Sequence, residues 1–235
     1  MKVALCISGG QRKGDVENET FMKRFRTAFS NADFYYHTWN ETLLFEEPNI
    51  ITTPEPHLGY HSVFHTDEYG GDYLDEKRQQ VDKSHAKLNT GTKQIIGHAI
   101  LVQSLPDDYD IIIRTRWDCY VSTKYDWQTA IENCYNENKI YGYAWRPQNS
   151  KEFHNPYIMD KEFIRYPYMI ADHVIIHRPS DIDPNSVFLL HEEKKLLPGE
   201  WGWHQVFCGQ KPNNHVNFVG GLTKYDANNR LKISG

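Results

Sequence analysis

Residues Lys2 to Ser8 read KVALCIS and run straight into Gly9-Gly10. An apolar run this short is a strand, and where it stops the missing β-carbons allow a sharp turn and close approach of a ligand to the backbone. From Asp15 to Ser30, Phe21, Phe25 and Phe29 recur at every fourth position with Met22 and Ala28 beside them, while Glu17, Glu19, Lys23 and Arg24 take the opposite side. That spacing predicts an amphipathic helix. Ala32 to Trp39 (ADFYYHTW) is dense in aromatic strand formers and predicts a second strand, ending at His37, Thr38, Trp39 and Asn40. The chain thus opens strand, helix, strand.

Further along, Asp110 to Arg116 (DIIIRTR) holds a continuous apolar run too short for a helix, of the kind found in a central strand covered on both faces. Ahead of it, a helical pattern from about Asp75 weakens at Asn89-Thr90-Gly91, recovers through Ile95, Ile96, Ala99, Ile100 and Val102, and stops at Pro106. Glu46 to Tyr73 carries three prolines, three histidines and three glycines without a period, and reads as a long surface excursion. In the second half, Trp127 to Glu137 has helical spacing, Lys139 to Trp145 and Ala171 to His177 look extended, and Val216 to Ser234 gives two short extended runs. Alternation of strand and helix points to a three-layer α/β domain with a mostly parallel central sheet. We expect a single domain over 1–235, with a nucleotide-binding half at 1–120 and an acceptor half at 121–235.

Composition narrows the function. The 235 residues carry 26 basic and 31 acidic side chains, a formal charge of −5, and no block of Lys or Arg, so nucleic acid is not expected as the primary partner. An aromatic fraction of 14% supplies the buried area that a disordered chain lacks. No stretch approaches the roughly 20 apolar residues of a membrane helix. The first residues turn polar too early for a signal-peptide core, and a cytoplasmic protein is expected. Cys6, Cys119, Cys134 and Cys208 form no Cys-x-x-Cys pair, and the 12 histidines show no tight ligand spacing.

Ligands of open α/β sheets sit beyond the carboxyl ends of the strands. The residues there are Ser8-Gly9-Gly10-Gln11-Arg12, His37-Thr38-Trp39-Asn40 and Arg114-Thr115-Arg116-Trp117-Asp118, joined by Ala171-Asp172-His173 at the start of a later strand. Together they form a candidate nucleotide pocket. The first loop matches neither the dinucleotide Gly-x-Gly-x-x-Gly fingerprint nor the Walker loop.

These segments resemble small glycosyltransferase-like proteins of the GT-A type, common in phage and bacterial polysaccharide gene clusters. Such proteins begin with a strand running into Ser-Gly and carry a His-Thr-Trp segment and an Arg-Thr-Arg-x-Asp strand end. The match covers the first half of the chain and fades after Tyr120. The resemblance implies a GT-A-like domain, a nucleotide-sugar donor, a glycan or other hydroxyl acceptor, and in many members a divalent cation on an Asp-x-Asp motif. Here Arg116 stands two residues before Asp118, so only one carboxylate is present.

A divalent cation on a diphosphate takes hard oxygen ligands, which makes Asp118 the candidate metal residue for Mn or Mg. Arg114 or Arg116 would alternatively neutralise the departing diphosphate directly, since guanidinium forks match phosphate oxygens. Arg116 and Asp118 also have the spacing of a simple salt bridge at a sheet edge. The candidate donor-binding residues are Ser8, Gly9, Gly10, Arg12, His37, Arg114 and Arg116. Transfer with inversion requires a general base, for which Asp172 and Glu200 are the candidates. Around Glu200, Trp201 and Trp203 are candidate acceptor-stacking residues and His204 a second candidate metal ligand, although a tryptophan-anchored helix start packed on the core explains the same segment. The leading expectation is a metal-assisted glycosyltransferase. The alternatives are a non-catalytic carbohydrate- or nucleotide-binding relative and a nucleotidyltransferase on the same scaffold.

Overall fold

Strand β1 (Val3–Ser8) is buried at all six positions. In the computed structural model it pairs in parallel with β2 (Ala32–Trp39) on one side, and on the other with β4 (Ile111–Thr115), which is likewise buried throughout. The structure describes residues 1–9, 16–39, 49–56, 91–117, 119, 121, 123, 125–145, 169–193, 196, 199–208, 216–218, 224–225 and 231–232. Two adjacent strands buried end to end require cover on both faces, and alternation of side chains supplies it. Val3, Leu5, Ile7, Ile111 and Ile113 pack on one face with Phe25 of α1 (Val16–Ala28), Phe29 just beyond it, and Trp127, Ile131 and Cys134 of α3 (Trp127–Glu137). Ala4, Cys6 and Ile112 turn to the other face and meet Leu101 of α2, residues 91–104. The result is the expected three-layer α/β arrangement.

The sheet has seven strands in the order β3-β2-β1-β4-β6-β5-β7, completed by β3 (Ile50–Thr53), β5 (Ile140–Trp145), β6 (Met169–His177) and β7 (Val216–Phe218). Four of its six pairings are parallel; β6 alone runs against its neighbours β4 and β5. Helices α4 (Pro184–Glu192) and α5 (Gly199–Cys208) follow β6, and Val187, Trp203 and Phe207 from them join a second core cluster with Ile95, Ile96 and Ala99 of α2.

The excursion expected from Glu46 to Tyr73 is corrected in one part. Ile50–Thr53 is a parallel edge strand in register with Tyr36 to Trp39. Four residues ahead of Pro54 are too few to show a period, and pairing with β2 orders them. Residues 57–90, including the weak helical pattern from Asp75, lie outside the described residues. The tail yields β7 and a small antiparallel pair, β8 (Lys224–Tyr225) with β9 (Leu231–Lys232), where two runs were expected. Among the described residues no helix is long and apolar enough to cross a membrane.

Candidate functional site

The turn after β1 is held from two sides. Gly9 adopts φ 117°, a backbone region that side chains with a β-carbon rarely enter, which is why the strand ends on glycine. Before it, buried Ser8 donates its hydroxyl to the Gln94 carbonyl of α2 at 3.2 Å. Beyond β4, the Trp117 indole N–H donates to the Gly9 carbonyl at 2.8 Å while its ring stacks on Tyr36 of β2, centroids 5.4 Å apart. The ends of β1, β2 and β4 are therefore clamped together.

Two arginines stand at this edge. Arg114 is fully buried, donates to Gln94 Oε1 at 2.6 Å and to the Asp172 carbonyl, and lies 4.0 Å over the Trp203 ring. Arg116 is partly open and pairs with the Asp172 carboxylate, whose side chain retains 11% exposure. The antiparallel course of β6 produces this meeting. Thr115 is opposite Val174, so the start of β6 lies beside the end of β4. His173 Nε2 lies 3.2 Å from Asp172 Oδ1. Burial works against the Asp172 charge, but Arg116, His173 and Arg114 outweigh it and hold the carboxyl down at about 2.

This geometry changes the roles expected for three residues. Asp172 is an ion-paired anion of very low basicity, which suits positioning of arginines better than proton abstraction. His37 is fully buried, bonded to the Thr53 hydroxyl at 2.9 Å and set edge-on against Trp39, so it packs between β2, β3 and α2. Its imidazole lies so close to Gly97 that a β-carbon there would sit 2.6 Å from Nδ1. Burial lowers its pKa to about 4, leaving it neutral. Trp203 is fully buried, its ring nearly parallel to Phe207 at 5.9 Å and capped by Arg114; it is part of the core, the tryptophan-anchored helix alternative.

Ser8, Gly9, Arg114, Arg116 and Asp172 are thus brought to one edge of the sheet. Gly10, Arg12 and Asp118, and the side chains of Glu200, Trp201 and His204, lie outside the described residues. Sequence reasoning missed Gln94, and it named Trp117 and His173 within the strand-end segments without giving either a role. Trp117 was within reach, because it sits inside the arginine-rich strand end already singled out; Gln94, in the first turn of a helix, carries no such signal. Among the described residues no group of three or more His, Cys, Asp or Glu side chains is arranged to hold a metal ion, and the described charges at the edge are two guanidiniums against one carboxylate.

No family model matches the chain, and no curated protein matches it in sequence. Solved structures of related shape include 4-diphosphocytidyl-2C-methyl-D-erythritol synthase from Anaerococcus prevotii, with TM-score 0.49 and 10% identity over 99% of this chain and 90% of that one. Mouse xyloside xylosyltransferase 1 in its apo form gives 0.45 and 14% over 94% and 85%. The galactosyltransferase LgtC in complex with donor and acceptor sugar analogues gives 0.45 and 10% over 94% and 73%. Each is a likeness of overall shape at low identity. The fold is an α/β domain with a mostly parallel sheet, whose central strands end at a clamped edge that carries the Arg116–Asp172 ion pair.

Proposed function

We propose that this chain transfers a sugar from a nucleoside-diphosphate donor to a glycan or other hydroxyl acceptor. The observation that carries the reading is the placement of Arg116 at the carboxyl end of β4, with Trp117 tying that segment to the glycine turn after β1. In such a transfer the bond from the anomeric carbon to the diphosphate oxygen breaks, and negative charge grows on the leaving group. A guanidinium already fixed at that point stabilises the charge without reorganising. Arg114, locked by Gln94, the Asp172 carbonyl and Trp203, positions the neighbouring backbone and adds its field from beneath.

The acceptor hydroxyl proton needs a base, and since the neighbouring cations leave Asp172 too weakly basic the role falls in this proposal to Glu200 on α5, with Trp201 beside it for the acceptor. Asp118 and His204 would hold a divalent cation, Mn or Mg, which would supply further neutralisation of the diphosphate charge. The setting proposed is cytoplasmic. A second reading, a non-catalytic binder of nucleotides or carbohydrates, is favoured by one observation, the engagement of Asp172 in an ion pair rather than as a free base.

The test is thermal stability against a panel of nucleoside diphosphates and sugar nucleotides, with and without Mn²⁺ or Mg²⁺, since a ligand that binds the folded state raises the melting point by mass action. A shift confined to one diphosphate class, followed by turnover of the matching sugar nucleotide, supports transfer. A shift without turnover across acceptors favours a nucleotide binder, and no shift from any compound contradicts transfer and leaves the carbohydrate binder.

A further inference from the structure

We infer that Asp172 is a built-in occupant of the anion site: its carboxylate sits on Arg116 where, on the reading above, the donor diphosphate binds, so that donor binding proceeds by exchange of carboxylate for phosphate on one guanidinium. The inference rests on that reading and deepens it. A carboxylate and a phosphate offer a guanidinium fork the same acceptor geometry, so the two compete for the same N–H groups. Asp172 is well placed for this. Its backbone carbonyl is held by Arg114, which fixes the start of β6, while the side chain reaches Arg116 at the part-exposed mouth, where the two side chains retain 16% and 11% exposure. Arg116 is therefore neutralised in the empty protein and does not stand as a bare cation at the sheet edge.

Exchange also leaves the displaced carboxylate a neighbour. The Arg114 guanidinium is fixed on the backbone carbonyl of the same residue and its charge acts on the carboxylate, so Asp172 can release Arg116 without becoming an isolated charge, with the His173 ring 3.2 Å from Oδ1. The consequence is selectivity. An incoming group must outcompete an intramolecular carboxylate, so a diphosphate with several anionic oxygens is admitted and a simple carboxylate or singly charged anion is not.

The experiment is calorimetric titration of the full chain with inorganic pyrophosphate and with nucleoside diphosphates, on wild type, Asp172→Asn, Asp172→Glu and Arg116→Gln, with melting curves recorded for each. Removal of the internal competitor by Asp172→Asn is expected to tighten pyrophosphate binding by about tenfold or more. Asp172→Glu, which keeps a carboxylate, should stay nearer wild type, and Arg116→Gln should lose binding. Arg116-dependent binding in wild type with unchanged or weaker binding by Asp172→Asn overturns the inference and leaves the proposed function standing. Failure of pyrophosphate and every nucleoside diphosphate to bind any of the proteins overturns both. If Asp172→Asn does not fold, the wild-type protein decides: the carboxylate ¹³C resonance of Asp172 must move when pyrophosphate saturates the protein, and a resonance unmoved in the bound state contradicts exchange.

Discussion

Arg116 and Asp172 are 56 positions apart in the chain and share an ion pair at the mouth of the sheet. The pair exists because β6 runs antiparallel to β4, which delivers the first residues of one strand to the last residues of the other. In a fully parallel sheet the start of β6 would lie at the opposite edge, far from Ser8 and Gly9. The single reversed strand thus adds a carboxylate and an imidazole to an edge otherwise built from strand ends.

The close packing of α2 on β2 makes Gly97 a sensitive position. A methyl group there meets the His37 ring at 2.6 Å, and the ring has no free rotation because Thr53 holds its other nitrogen. Gly97→Ala is expected to lower stability by about 1–3 kcal/mol through overpacking. A double-mutant cycle with His37→Ala, followed by urea denaturation, should recover part of that loss; full additivity would place the strain elsewhere.

Arg114 is fixed by geometry as much as by charge. Its fork bridges Gln94 Oε1 and the Asp172 carbonyl while its plane covers Trp203. An ammonium cannot make both bonds and the ring contact from one position, so Arg114→Lys should cost roughly 2–4 kcal/mol in unfolding free energy. Chemical denaturation monitored by tryptophan fluorescence checks this, and a loss below about 0.5 kcal/mol would show that the bridge contributes little.

Acid should destabilise the protein well before its carboxylates titrate. Burial lowers His37 and His177 to about 4, and burial with His177 and Arg114 nearby holds His98 well below its ordinary value; the His98 and His177 rings share a hydrogen bond at 3.0 Å. The unfolded chain therefore binds more protons than the folded one below the ordinary histidine range, and stability rises with pH. It is fully present above about pH 6.5 and lost progressively toward pH 4. Asp172, held at about 2, stays ionised through this window. Unfolding free energies from urea denaturation at pH 7.5 and 5.5 should differ by roughly 4 kcal/mol in favour of the higher pH, about 1.3 kcal/mol for each ring; equal values would mean that these rings are protonated in the folded state.

Much of the scaffold was legible because burial is written in local pattern. KVALCIS and DIIIRTR lack polar alternation, and both prove to be strands covered on two faces. Trp127–Glu137 is a helix over the range its spacing indicates, with the Asp126 carboxylate accepting from Thr129 N–H at 3.0 Å at its start. Ile50–Thr53 escaped because four residues show no period and are ordered by a neighbour. The site was legible as a set of strand ends, but not as contacts. Strand direction has no local signature, so the meeting of Asp172 with Arg116 could not be read, whereas Trp203 follows the core alternative its segment already offered, against Phe207, and His37 faces inward against Thr53.

The central claim is that Arg116 meets the diphosphate of a nucleotide-sugar donor. It is tested most directly by calorimetric titration of wild type and Arg116→Gln with the nucleoside diphosphate that gives the largest thermal shift, at two salt concentrations. The account predicts wild-type binding that weakens with salt and falls at least tenfold in Arg116→Gln, with the melting curve showing a folded variant. Equal affinity in the two folded proteins would contradict it.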